Sequence, residues 1–377
     1  MKKIVFLTAT RADFGKLKSL IEITEKSGLF EVHIFATGMH LNPKYGKTVE
    51  EIEKSGFKNI FKYYNHGNFD SMDLILSRTI EGFSGYVNDI KPDLIVIHGD
   101  RVETLAGAIV GALNNTLTAH IEGGEVSGTV DELIRHSVTK LSHIHFVANE
   151  DAKKRVIQLG ELETSVFVIG SPDIDVMLSK RLPSISDVKK RYQIPFKHYA
   201  ILVYHPVTTE PENLRTNIKE LIKASLESKM NYVVVYPNND HGTEIIMEEY
   251  EALKDNPNFR LYPSMRFEYF ISLLKNSEFI IGNSSAGIRE AGIYGVGCIN
   301  VGTRQMNRGF TKNIINVKDD SKIIMNAINK IAGKKYKNNY VFGDGKSNKR
   351  FFNIISGKEV WLIPHQKMFN DVQYRIG

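Results

Sequence analysis

The chain has 377 residues, 42% of them apolar and 24% charged, and carries a formal net charge of +6, a length that predicts two domains rather than one core. No stretch approaches the roughly 20 apolar residues that span a bilayer, and the apolar run after Lys3 is too short for a signal peptide, with charge returning at Arg11 and Asp13. The lone cysteine, Cys298, cannot form an internal disulfide, which fits a reducing cytoplasm. Lysines are scattered, and neither a nucleic-acid motif nor a basic amphipathic helix occurs, so neither nucleic acid nor membrane is expected as a partner.

In the N-terminal half, short apolar runs alternate with amphipathic segments of helix length. Strands are predicted over Ile4–Thr8, Val32–Ala36, Leu94–His98, Thr118–Ile121 and His143–Val147, with helices over Lys16–Glu25, Leu74–Asn88, Glu103–Ala112 and Glu132–Leu141. That alternation reads as βαβ units on a parallel sheet. The first strand runs into Thr8-Ala9-Thr10-Arg11-Ala12-Asp13, with no G-x-G-x-x-G. Such a turn either meets phosphate through hydroxyl, backbone N–H and the Arg11 guanidinium, or is a helix N-cap beside a surface arginine.

Asp100 follows the third of these strands, Glu122 follows the fourth, and Asp131 comes shortly after. Carboxylates ending apolar strands are costly unless paired or used. They converge as acid/base groups on one ligand, or they pair with Arg101 and Arg135 as a structural network. His98, His120 and His136 nearby have no tight ligand spacing of the H-E-x-x-H kind, so neither metal nor cofactor is expected.

Prolines, serines and charges without apolar period over 173–197 suit a linker between a domain at 1–172 and another at 198–350, with a helical tail at 351–377 expected to pack back on the first domain. The second cycle has strands at Tyr199–Tyr204, Tyr232–Tyr236, Phe279–Gly282 and Cys298–Val301, and helices at Arg215–Ser228, Thr243–Lys254 and Phe267–Lys275. His205 ends its first strand, aimed by Pro206 either at a ligand phosphate or at a helix cap. Asn238 follows the next strand. Gly282-Asn283-Ser284-Ser285 then leads into a helix start suited to a pyrophosphate, with Glu290 either on a ribose or at the surface. Arg304 follows the next strand and can reach the same pocket, and Phe270 either faces a base or is core. Two doubly wound α/β domains, Rossmann-like and facing a cleft, are the expected fold.

The motifs TxTRADFGK, IHGDR, HIEGGExSGTxDExIRH, GSPD, HPVTTE, PNND, RFEYF, GNSSAGIRE and GTRQ, in this order, resemble the hydrolysing UDP-N-acetylglucosamine 2-epimerases of bacterial sialic acid synthesis. The resemblance implies the two-domain glycosyltransferase B architecture, no cofactor, a homodimer or homotetramer, and conversion of UDP-N-acetylglucosamine and water to N-acetylmannosamine and UDP. The implied route is anti elimination to 2-acetamidoglucal followed by syn hydration. It puts the catalytic groups on Asp100, Glu122, Asp131 and His205, and the nucleotide contacts on Arg11, Asn238, Phe270, Ser284, Ser285, Glu290 and Arg304. Alternatives are a GDP-N-acetylglucosamine hydrolysing 2-epimerase of the legionaminic acid pathway, a non-hydrolysing UDP-sugar 2-epimerase, and a glycosyltransferase of the same architecture. Transfer alone would not require three strand-end carboxylates.

Overall fold

The structure, a computed structural model, describes residues 1–42, 48–67, 71–127, 130–180, 182–207, 210–237, 242–305 and 311–371. The chain divides into two compact units, one comprising Met1–Glu125, Val130–Leu178 and Val341–Gly377, the other built on Ser179–Tyr340.

In the first unit, β1 (Lys2–Thr8), β2 (Phe30–Ala36), β3 (Ile60–Lys62), β4 (Leu94–His98), β5 (Leu117–Ile121), β6 (Ile144–Val147) and β7 (Val166–Val168) form a parallel sheet ordered β3-β2-β1-β4-β5-β6-β7. In the second, β8 (Ala200–Val203), β9 (Tyr232–Val235), β10 (Phe259–Tyr262), β11 (Phe279–Gly282), β12 (Gly297–Val301) and β13 (Ile314–Val317) are ordered β10-β9-β8-β11-β12-β13, again parallel. β1, β4, β5, β8, β11 and β12 are buried along nearly their whole length, as parallel strands covered on both faces must be.

Both sheets reverse their strand order at one place, between β1 and β4 and between β8 and β11. Connections leave in opposite directions there, which opens a crevice beyond the carboxyl ends of the two strands. The turns after β1 and β4, and those after β8 and β11, are the turns the sequence singled out.

The expected 173–197 linker is corrected. Residues up to Leu178 belong to the first unit and contain the helix Pro172–Met177, while the second unit contains the helix Ile185–Tyr192. The latter is closed by a Ser184 N-cap and a left-handed Gln193, and Val188 is its one buried residue. A two-turn helix with a single buried position has no apolar period to read. The second unit ends at Tyr340, ten residues before the expected boundary, and Val341 begins the return to the first. Phe351 from this return lies in the first core, 4.9 Å between ring centroids from Phe146 and 6.3 Å from Phe6. Trp361 stacks on Phe30 at 6.2 Å.

Candidate active site

The turn after β1 is built around Asp13. Its carboxylate accepts hydrogen bonds from the N–H groups of Ala9 (2.9 Å), Thr10 (2.8 Å) and Phe14 (2.7 Å) and from the Thr8 hydroxyl (2.9 Å), while Thr10 caps the helix Arg11–Lys26 in a capping box. These N–H groups are therefore spent within the turn, which is the helix N-cap of the two readings the sequence left open. The Arg11 guanidinium is what the turn presents, half-exposed and 3.4 Å from Glu51.

Glu122, directly after β5, is buried and has φ +65, a left-handed backbone that a non-glycine residue adopts only at a cost of order 1–3 kcal/mol. Its Oε2 lies 2.9 Å from Lys16 Nζ and 3.1 Å from His98 Nε2, and its Oε1 accepts a hydrogen bond from Ser171. Lys16 also pairs with buried Asp173 at 3.0 Å. Four elements thus converge on one carboxylate: the helix Arg11–Lys26, the end of β4, the end of β5 and the turn entering the helix Pro172–Met177.

Asp100, two residues past β4, bonds the Arg135 guanidinium, which also donates to the Glu125 carbonyl at 3.1 Å. Burial pushes the Asp100 carboxyl up, but the charge and hydrogen bond of Arg135, with His98 and Lys16 nearby, bring it below the usual carboxylate range. Asp131, half-buried in the first turn of the helix Val130–Leu141, shares a face with Arg135 four residues on. His120 Nε2 faces the Gly99 carbonyl at 2.8 Å, so it carries the proton, and Nδ1 accepts from the Thr139 hydroxyl at 3.2 Å. Burial pulls this imidazole down to about 3, which keeps it neutral. Among the described residues, no group of three or more His, Cys, Asp or Glu is arranged to hold a metal ion.

In the second unit, buried Asn283 organises the switch point. Its Oδ1 accepts from the His205 N–H at 2.7 Å and its Nδ2 donates to the His205 carbonyl at 2.8 Å, tying the turn after β8 to the turn after β11. Arg304 (3.3 Å) and Gln305 (3.1 Å) both donate to the Asn283 carbonyl. Gly282 has φ +127, and a Cβ there would stand 2.0 Å from the Val203 carbonyl oxygen, so only glycine lets the turns approach this closely.

His205, Ser284, Ser285 and Arg304 are therefore gathered about Asn283. The helix behind Ser284 is only Ser285–Arg289, one and a half turns, so its dipole is smaller than the sequence suggested. Glu290 ends that helix and starts the 3-10 turn Ala291–Tyr294, and it is buried, not at the surface. Phe270 is half-buried on the helix Phe267–Lys275. Asn238 lies outside the described residues.

Comparison with known proteins gives a match to the family of UDP-N-acetylglucosamine 2-epimerases over residues 22–356. The chain belongs to that family. It is 45% identical over 376 residues to the UDP-N-acetylglucosamine 2-epimerase of Neisseria meningitidis serogroup B, covering 99% of this chain and 100% of the relative. It is 34% identical to the UDP-N,N'-diacetylbacillosamine 2-epimerase (hydrolyzing) of Legionella pneumophila, with 94% and 96% covered. The crystal structure of the Methanocaldococcus jannaschii UDP-GlcNAc 2-epimerase in complex with UDP-GlcNAc and UDP superposes with a TM-score of 0.78 at 23% identity, covering 94% of this chain and 99% of that one. The 2-epimerase chain accordingly has the fold of two Rossmann-like domains of glycosyltransferase B type.

Sequence reasoning did not place Lys16, His98, Ser171 and Asp173 in one cluster with Glu122, although each stands inside a motif that carried the resemblance. A lysine on an amphipathic helix reads as solvated, and nothing local shows that its partners are the distant Glu122 and Asp173.

Proposed function

We propose that the chain is a hydrolysing 2-epimerase that converts UDP-N-acetylglucosamine and water to N-acetylmannosamine and UDP. The observation that carries this reading is Glu122, a buried carboxylate on a left-handed backbone, held by Lys16, His98 and Ser171 at the first unit's switch point. Strain of this kind concentrates at sites of function. The family match and the hydrolyzing Legionella relative support the reaction class.

The C2 proton of an N-acetylhexosamine is not acidic in the ground state. As the bond from C1 to the UDP oxygen lengthens, positive charge builds at C1 and acidifies that proton. A carboxylate from the set Asp100, Glu122 and Asp131 removes it, and UDP leaves to give 2-acetamidoglucal. Water then adds its oxygen to C1 while a proton is delivered to C2 on that same face, opposite to the face from which the first proton left, which sets the manno configuration. His205, Arg304 and the Ser284–Ser285 turn of the second unit hold the departing diphosphate, a role in which fixed donors act most strongly. Glu290, Phe270 and Asn238 serve the nucleoside.

A second reading keeps the mechanism and changes the sugar: the Legionella relative acts on UDP-N,N'-diacetylbacillosamine. One experiment tests both. Incubation with each nucleotide-sugar in deuterated water, followed by NMR, should give free N-acetylmannosamine deuterated at C2 from UDP-N-acetylglucosamine. Product still joined to UDP would overturn the hydrolytic step, and turnover of the bacillosamine sugar alone would select the second reading.

A further inference from the structure

We propose that Lys367 is a positioning residue for this reaction, fixing the far end of the helix Val130–Leu141 so that Asp131 and Arg135 stand in register with Asp100. The proposal rests on the reading of that helix as part of the catalytic apparatus.

The last carbonyls of a helix have no partners within it. Here the Lys367 ammonium donates to that of Lys140 (2.7 Å), more distantly to that of Thr139 (3.3 Å), and to the Ser142 carbonyl just past the helix end (2.6 Å). Its charge also sits at the negative end of the helix dipole. The same ammonium lies 2.6 Å from Glu161, a buried carboxylate that meets Lys140 at 2.8 Å and His145 at 3.0 Å. Burial alone would raise Glu161; the bonds from His145, Lys140 and Lys367 take it down to about 2.

The segment around Lys367 is itself held from three sides. His365 Nδ1 bonds the Asn115 carbonyl at 2.7 Å, His143 Nε2 bonds the His365 carbonyl at 2.9 Å, and the Asn370 N–H donates to Gly160 at 3.1 Å. A second lock grips the same helical turn: Thr139 meets His120, which in turn holds the Gly99 carbonyl beside Asp100. At 1.5 Å per residue the Lys140 turn is about 13 Å from Asp131. Rotation or slip at the anchored end is carried along the rigid helix to the carboxylate.

The test compares wild type with Lys367→Met, which keeps the stem without the charge, and Lys367→Arg. Lys367→Gln is carried alongside, so that a folded variant remains if the methionine fails. Lys367→Met should lower kcat about tenfold, since misplacing a reacting group by well under 1 Å is enough for that. KM and UDP affinity should stay within twofold, amide exchange over residues 131–135 should accelerate, and Lys367→Arg should recover most of the rate. In an Asp131→Asn background the Met substitution should cost clearly less than in the wild type, keeping only the part carried by Arg135 and Asp100. Unchanged kcat in the folded variants, or losses that add in full to Asp131→Asn, would overturn the proposal. If wild type shows no epimerase turnover, the functional reading falls; the exchange measurement then still tests the anchor, and no acceleration over 131–135 would sink it.

Discussion

Around the ends of β4 and β5 the first unit sets charge against charge, Glu122 and Asp173 on Lys16 and Asp100 on Arg135, with the His98 ring beside Glu122. At the ends of β8 and β11 the second unit uses one neutral side chain, Asn283, to tie two backbone turns together and to leave hydroxyls and a guanidinium around them. On the proposed function, the contrast follows from what each ligand part would demand. A proton on carbon needs a carboxylate whose ionisation is controlled, and control in a buried site requires counter-charges within a few ångströms. A diphosphate brings its own charge and needs donors already aimed at it.

The largest expected effect separates the two halves by chemistry. Asp100→Asn should lower kcat about 10³-fold, in the range that loss of an acid/base group costs, while UDP affinity measured by calorimetry stays within a factor of two. A variant that keeps wild-type turnover would break the assignment of this carboxylate. Next, Asn283→Ala removes both bonds that hold the His205 turn and should cost about 2 kcal/mol of stability in chemical denaturation, with UDP affinity falling about tenfold. If affinity were unchanged, the second site would not be a backbone-organised one.

A third effect is in the pH dependence. His120 is held near 3 against an ordinary 6.5, so the unfolded chain binds the extra proton between those values. His120 therefore contributes stability that is fully present above about pH 6.5 and is lost as pH falls towards 3, at up to about 1.4 kcal/mol per pH unit. Asp100, with its carboxyl depressed, adds a loss at lower pH still. His120→Gln should flatten the slope of the denaturation midpoint between pH 6.5 and 4. An unaltered slope would show that this imidazole is not buried as a neutral group.

The strands that matter for the site were legible in the sequence because they are buried on both faces and end in polar turns: β1, β4, β5, β8 and β11 read directly. The strands that escaped, β3, β7, β10 and β13, are short and only partly buried, so their three or four residues present neither an apolar run nor a clean alternation. Within the site, residue types and turns were readable but partnerships were not. Thr10 was legible as a cap, yet nothing in the sequence shows Asp13 consuming the N–H groups of Ala9 and Thr10. Asn283 stood in a quoted motif without a role, because its task is to bind the backbone of a residue 78 positions away.

The return of the chain into the first unit has a consequence for how the molecule is made. Phe351 and Ile355 are core residues of a sheet whose first strand begins at Lys2. A nascent chain emerging at about 5–20 residues per second therefore completes the whole of the second unit while the first still lacks part of its interior. The half synthesised first is the half that can mature last, and until residue 351 leaves the ribosome the apolar faces of Phe6 and Phe146 have no aromatic partner from the return to cover them.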